Sequence, residues 1–384
     1  MDNKKDRTIE EILRLYDTTK YYDEAMTPEK FGSFYRLDQS GVYKLEDLFR
    51  TDAIQEKRYE AQESAAKAGI NKLMQRIQNP SNYICATTGF KCLDNLLDGG
   101  LYTGLYVIGA ISSLGKTSFV VHMADNIAKT GRKVIYISLE MAEEEIIAKS
   151  ISRLTLEETF TIINGDAFKK DTRHILNGKL WEDYTTDEKT VINNAISKYK
   201  EYGENIYIYE GVGTFSVDDV REIVKSAIRP DELPPVVIVD YIQILAPADR
   251  SITDAKRNMD YQIVEMKRIS RDYNVPIVGI SSFNRASYAE GVSFSALKES
   301  GAIEYTADVV IGLQYKGIDE IINDDKTKSD REQRIKIKKI IEDNERLAYQ
   351  GDSQNIQLKL LKNRNGAKGS CYLYYAPKYN YFYE

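Results

Sequence analysis

The stretch Gly104–Gly131, "GLYVIGAISSLGKTSFVVHMADNIAKTG", decides the fold. It opens with an unbroken apolar run, "GLYVIGA", as expected of a strand buried on both faces. From Thr117 onward the apolar residues recur at helical spacing, and Gly131 closes the helix. Between the two, Gly109–Ser118 ("GAISSLGKTS") fits the phosphate-loop pattern G-x-x-x-x-G-K-[ST], except that Ala110 stands where the first glycine is usual. Alanine is small enough to let such a loop close. The backbone N–H groups of Ser113, Leu114, Gly115, Lys116 and Thr117 would turn inward on a phosphate, with the helix dipole and Ser118 behind them. Lys116 would bridge the β- and γ-phosphates of ATP or another nucleoside triphosphate, and the Thr117 hydroxyl would hold Mg²⁺. A chance Gly-Lys-Thr ahead of a solvated helix is the bland alternative. Strand, loop and helix falling in register favour the phosphate site.

Working outward, short apolar runs alternate with helical segments: "KVIYISLE", "NIYIYEG", "VDDVREIVKSAI", "PPVVIVDYIQIL", "NMDYQIVEMKRISRDYN", "VPIVGISSF" and "ADVVIGLQY". That alternation predicts an α/β fold with a mostly parallel sheet covered by helices on both faces. Two acids stand at the ends of its strands. Asp240 ends a very apolar run, where a carboxylate has little reason to be unless it meets a cation, so it is the expected second Mg²⁺-orienting group. Glu140 ends the strand after the phosphate-loop helix and is the expected base for an attacking water. A turn-capping Asp and a helix-start Glu ahead of "EMAEEE" are the plainer alternatives.

The remaining segments bound the problem. Residues 1–53 are acidic and irregular, 54–80 read as a connecting helix ended by Asn79-Pro80, and 81–384 as one large domain with a charged insertion at about 316–350. The net charge of −6 excludes a global positive field, so any nucleic-acid contact must be local or arise from assembled copies. Cys85, Cys92 and Cys371 lack C-x-x-C spacing, and with only His122 and His174 a zinc site is not expected. A reducing, cytoplasmic setting fits this usage. The charged start "MDNKKDRTIEEILRLYDTTK" is not expected to be a signal peptide, and no apolar run is long enough to span a membrane. The end, "NIQLKLLKNRNGAKGSCYLYYAPKYNYF", predicts a β-hairpin joined by a tight Asn-Gly or Gly-containing turn.

Six stretches, in order, resemble the C-terminal motor domain of DnaB-type replicative helicases, a hexameric branch of the RecA-like P-loop NTPase fold. They are "TTGFKCLDNLLDGGLYTGLYVIGAISSLGKTSF", "VIYISLEM", "VVIVDYIQIL", "NVPIVGISSFNR", "SALKESGAIEYTADVVIGL" and "LKNRNGAKG", and they cover residues of about 85 to 384. The resemblance implies an ATP-dependent DNA helicase of replication, hydrolysing ATP between subunits of a homohexamer and moving 5′→3′ on single-stranded DNA. It gives Lys116 and Thr117 the phosphate and Mg²⁺, Glu140 the role of catalytic base and Asp240 that of second metal-orienting acid. "LKESGAIE" resembles the loop that grips DNA backbone, which points to Lys298, Glu299 and Gly301, with Arg285 near the coupling strand. Lys256 and Arg257 could face the same channel, or simply water.

Departures from the family pattern are specific. Ser282 stands where a γ-phosphate-sensing glutamine is usual, and Ile111-Ser112 where the loop usually has Arg-Pro. Residues 1–53 show no likeness to the family's collar domain, so primase binding is not carried over. A helicase loader or replication initiator remains a partner compatible with the resemblance. The alternatives are a RecA-like DNA-dependent ATPase of recombination or repair, a ring ATPase without unwinding, and a small-molecule kinase. The stretch "LLKNRNGAKG" bears on that choice, because Lys362 and Arg364 fall on one strand face at period-two spacing. Turned toward a neighbouring subunit, they would serve as an arginine finger and its lysine companion, which a monomeric kinase does not need.

Overall fold

Five apolar runs, Gly104–Ala110 (β1), Val134–Ser138 (β2), Val236–Asp240 (β4), Pro276–Ser282 (β5) and Val309–Tyr315 (β6), form strands that are buried along nearly their whole length. With Ile206–Glu210 (β3), Gln354–Asn363 (β7), Ser370–Ala376 (β8) and Tyr381–Tyr383 (β9) they make a sheet of order β3-β2-β4-β5-β1-β6-β7-β8-β9. The first six strands in that order run parallel and the last three antiparallel. This computed structural model describes residues 69–71, 73–74, 77–78, 85–111, 114–211, 215–247, 254–283, 291–297, 301–324 and 330–384. The chain divides into two compact units, Met1–Tyr83 and Ile84–Glu384. In the first, the described residues 69–71, 73–74 and 77–78 are helical and exposed. Residues 1–53, read from sequence as acidic and irregular, lie outside the described residues.

Helices cover both faces of the sheet. One face carries Lys116–Lys129 (α2), Glu143–Thr159 (α3) and Thr186–Gly203 (α5), whose Phe119, Ile146, Leu154 and Ala195 pack on Tyr136, Ile108 and Ile238. The other carries Val217–Ala227 (α6), Ala255–Tyr273 (α7) and Gly301–Thr306 (α8), packed on Val107, Ile137 and Val239. Lys91–Leu96 (α1) and Thr172–Leu176 (α4) are short additions. Alternate residues of β1 thus feed two separate apolar layers, which is why its sequence shows no polar face. The caps are local: Thr185 with Glu188 and Ser216 with Asp219 form capping boxes, and Asp254 accepts from the Lys256 and Arg257 N–H groups.

One expectation is corrected. The C-terminal strands are not joined by a tight turn at Asn365-Gly366: residues 364–369 form a longer loop. β7 outruns its pairing with β8, which stops at Lys359–Ser370, and continues along β6, where the Arg364 N–H donates to the Asp308 carbonyl at 2.8 Å. A third strand, β9, then completes a meander rather than a simple hairpin. The charged run 316–350 folds as Ile318–Asp324 (α9) and Asp330–Gln350 (α10), with Ile318 and Ile337 buried in the main core. Among the described residues no helix is long and apolar enough to cross a membrane.

Candidate nucleotide site and finger residues

Parallel pairing brings the C-terminal ends of β1, β2, β4 and β5 to one edge, where open α/β sheets bind ligands. Gly115 caps α2 at φ 82°, a left-handed conformation, and a Cβ there would come within 2.6 Å of the Tyr375 ring. Glycine is therefore required at this position for two independent reasons. Lys116 Nζ donates to the carbonyls of Ala110 (3.1 Å) and Ile111 (3.0 Å), which holds it over the loop mouth. Burial pulls its pKa down to about 8, against the opposing pull of Asp240 and Glu140. Asp240 is buried at the end of β4 and accepts from Tyr136 Oη at 2.8 Å and from the Thr117 hydroxyl. Burial raises the Asp240 pKa, and those two hydrogen bonds work against the rise. Burial, followed by the Asp240 charge, pushes the Tyr136 phenol well above its ordinary range.

Glu140 lies just beyond β2 rather than on it. The Ser138 hydroxyl donates to the Met141 carbonyl (2.5 Å), closing a turn that carries Glu140 out to the rim. The cleft so formed, of about 520 Å³, is lined by Gly115, Lys116, Thr117, Ser118, Glu140, Asp240 and Ser282 among others. Leu114 is different: its side chain is fully buried in the core, so only its backbone can serve the loop. Ser113 lies outside the described residues. A Thr hydroxyl beside a carboxylate is a hard oxygen set that suits Mg²⁺, a cation that keeps several waters and is completed by phosphates. Thr117 and Asp240 therefore fit the expected ion.

The structure adds residues that sequence reasoning missed. Lys149, from the middle of α3, faces the cleft and donates to Asn380 Oδ1 at 3.1 Å, its pKa lowered by burial. Asn380 also accepts from Ser118 Oγ at 2.8 Å and donates to Thr172 Oγ1 at 2.7 Å, so one side chain ties the phosphate-loop helix to α3 and α4. Tyr375 and Pro377 complete that wall. The Pro-Lys-Tyr-Asn sequence is legible as a turn, but nothing local says that it packs on a loop far away in the chain.

Lys362 and Arg364 are at the opposite edge of the sheet. Lys362 pairs with Val310 and Arg364 donates its N–H to Asp308, at the start of β6, whereas the phosphate loop leaves the far end of β1. Lys362 Nζ donates to the carbonyls of Glu304 (2.5 Å) and Tyr305 (3.1 Å), and Arg364 Nη2 to that of Tyr305 (3.3 Å), all at the C-terminus of α8. Asp308 accepts from Leu105 N–H (2.7 Å) and Lys267 Nζ (2.5 Å), and its other oxygen lies 3.4 Å from Arg364 Nη1. The basic pair is thus held on a built support that cannot present it to its own phosphate loop. Gly301 opens α8 with open space around it, while Lys298, Glu299 and Arg285 lie outside the described residues. Lys256 and Arg257 are exposed at the start of α7.

The family described as DnaB-like helicase C terminal domain matches residues 86–384. The chain belongs to that family. It is similar to the replicative DNA helicase DnaB of Haemophilus influenzae, 28% identical over 66% of this chain and 50% of the relative. The DnaB helicase of Geobacillus stearothermophilus is 25% identical over 77% of this chain and 55% of the relative. The chain thus spans about half the length of the relatives it matches. Its fold is similar to that of an ATPase domain solved by itself, with a TM-score of 0.62 at 20% identity over 83% of this chain and 98% of that one. A DnaB-like replicative helicase, solved in a study of its interactions with primase, gives 0.59 at 21% identity over 83% of this chain and 66% of that one. The RecA-like expectation of the sequence is met. The exclusion of primase as a partner finds no support in this comparison and is withdrawn.

Proposed function

We propose that this member of the DnaB-like helicase family is an ATP-driven DNA helicase of replication, working as a homohexameric ring that moves 5′→3′ on single-stranded DNA. One observation carries the proposal: the phosphate site and the Lys362–Arg364 pair occupy opposite edges of one sheet. A chain built this way completes its site only when a second copy faces it, and a head-to-tail interface between copies gives a ring when its rotation closes. In the composite site, the loop N–H groups and Lys116 bind the β- and γ-phosphates. Thr117 and Asp240 would hold Mg²⁺, which when bound supplies charge neutralisation between those phosphates. Glu140 orients the attacking water and takes its proton. Arg364 and Lys362 of the neighbouring subunit meet the charge that develops on the γ-phosphate.

DNA backbone would be gripped by Lys298, Glu299, Gly301 and Arg285, through a cation and backbone N–H groups that carry no sequence preference. A helicase loader or replication initiator would be needed to place a closed ring on DNA. Strand displacement on a forked DNA substrate tests the proposal. ATP-dependent separation of the strands is expected. ATP hydrolysis stimulated by DNA but never accompanied by separation would reduce the protein to a ring ATPase.

A further inference from the structure

Two of the three cysteines are brought together by the fold. Cys92, in the first turn of α1, and Cys371, on β8, are distant in sequence, yet their Sγ atoms lie 2.8 Å apart. A covalent bond would bring them to about 2.05 Å, so less than 1 Å of travel separates contact from linkage. Both sit on fixed backbone. The Cys92 N–H donates to Glu384 Oε1 at 2.6 Å, and the adjoining Leu93 is fully buried. Cys371 pairs with Leu358 in the β7–β8 ladder and points inward between the exposed Ser370 and Tyr372. Neither thiol touches the nucleotide cleft, and Cys85 takes no part in the pair.

We infer that Cys92 and Cys371 form a reversible oxidation site, at which a peroxide converts the thiol pair into an intramolecular disulfide. The two cysteines have distinct roles. Cys92 is partly buried and the more accessible of the two to an oxidant, while Cys371 is buried. The Cys371 thiol is also held to its proton by its hydrogen bond to Cys92 and by burial. In the first step Cys92 sulfur attacks one peroxide oxygen and the O–O bond breaks, giving a sulfenic acid and one water. In the second, Cys371 sulfur attacks the sulfenic sulfur. The S–O bond breaks, and the departing hydroxyl leaves as a second water with the proton that Cys371 held. The two thiols are oxidised by two electrons and the peroxide is reduced by two. A dithiol reverses the change by exchange. The product would fasten α1 to the meander whose β7 carries Lys362 and Arg364. None of this rests on the proposed helicase activity.

The test is mass mapping of the full chain after hydrogen peroxide treatment, alkylation of remaining thiols and proteolysis without reductant. The expected product is one cross-linked peptide pair containing Cys92 and Cys371, about 2 Da lighter than the two peptides together, with Cys85 recovered alkylated. Dithiothreitol should return both thiols. In a Cys371→Ser variant, Cys92 should instead be trapped as a dimedone-reactive sulfenic acid. The inference is overturned if Cys92 passes to sulfinic acid while Cys371 stays alkylatable, or if the disulfide recovered joins Cys85 or two separate chains. It is also overturned if the same cross-link forms as fast in urea-unfolded chain, because proximity in the fold would then contribute nothing. Because the mapping is done on the unaltered protein, a variant that fails to fold leaves the result intact.

Discussion

Mixing two inactive variants measures whether the Arg364 finger acts between subunits. Lys116→Ala removes the cation from the phosphate loop, and Arg364→Ala removes a side chain that is about half exposed, 48%, at the other edge of the sheet. Each variant alone should lose about 10³–10⁵ in ATP turnover, equivalent to about 4–7 kcal/mol of transition-state stabilisation. In a ring assembled from equal parts of the two, a site works only where an intact Lys116 on one subunit faces an intact Arg364 on the next. Random arrangement makes that true of about one quarter of the interfaces in a head-to-tail ring. Steady-state phosphate release from co-refolded mixtures should therefore reach about a quarter of the unaltered rate, with a maximum at equal proportions. If Arg364 served its own chain, every subunit of the mixture would carry one defect and no activity would return. Mixed activity equal to the sum of the separate variants would refute the trans arrangement. Full turnover by Arg364→Ala alone would refute the finger itself.

Three further outcomes follow from the same geometry. Lys116, with a folded value of about 8 against 10.5 unfolded, costs stability at neutral pH, and that cost shrinks as pH rises between those values because the unfolded chain there binds more protons. Nucleotide affinity should move the opposite way, weakening about tenfold per pH unit above about 8, and a flat affinity profile in a fluorescent-nucleotide titration would contradict the buried-ammonium account. Tyr136→Phe removes a donor from Asp240 and should cost about 1–2 kcal/mol in urea unfolding, while weakening Mg²⁺-dependent nucleotide binding more than Mg²⁺-free binding. Asp308→Ala strands the Leu105 N–H and the Lys267 ammonium, so a loss of about 2–4 kcal/mol is expected, with Asp308→Asn milder because it keeps an acceptor. Equal midpoints for the two Asp308 variants would show that the carboxylate is not the support its contacts describe.

Much of this protein is determined by local sequence. The predominantly apolar runs at β1, β2, β4, β5 and β6 mark central strands, because burial on both faces favours apolar residues on both sides of the strand. Gly115, Lys116 and Thr117 match the phosphate-loop pattern by order alone, and Asp240 stands out as a carboxylate at the end of an apolar run. Sequence put Glu140 at the end of its strand but could not show it lying beyond the strand, since the Ser138–Met141 turn that displaces it is a side-chain contact rather than a propensity.

What tertiary structure alone decided are the contacts made across long sequence separations. Asn380 and Lys149 join the phosphate-loop wall only because β8 and β9 return along the sheet to α2 and α3. Period-two spacing aligned Lys362 with Arg364. It could not show that antiparallel pairing of β7 with β6 carries both to the edge opposite the Lys116 cleft, where α8 and Asp308 hold them. The approach of Cys92 to Cys371 is equally invisible in spacing, since no local rule relates a helix turn to a strand so far along the chain. Propensity and periodicity act over a few residues, whereas strand order is settled by burying both faces of one sheet at once, and the order of strands is what makes these distant residues neighbours.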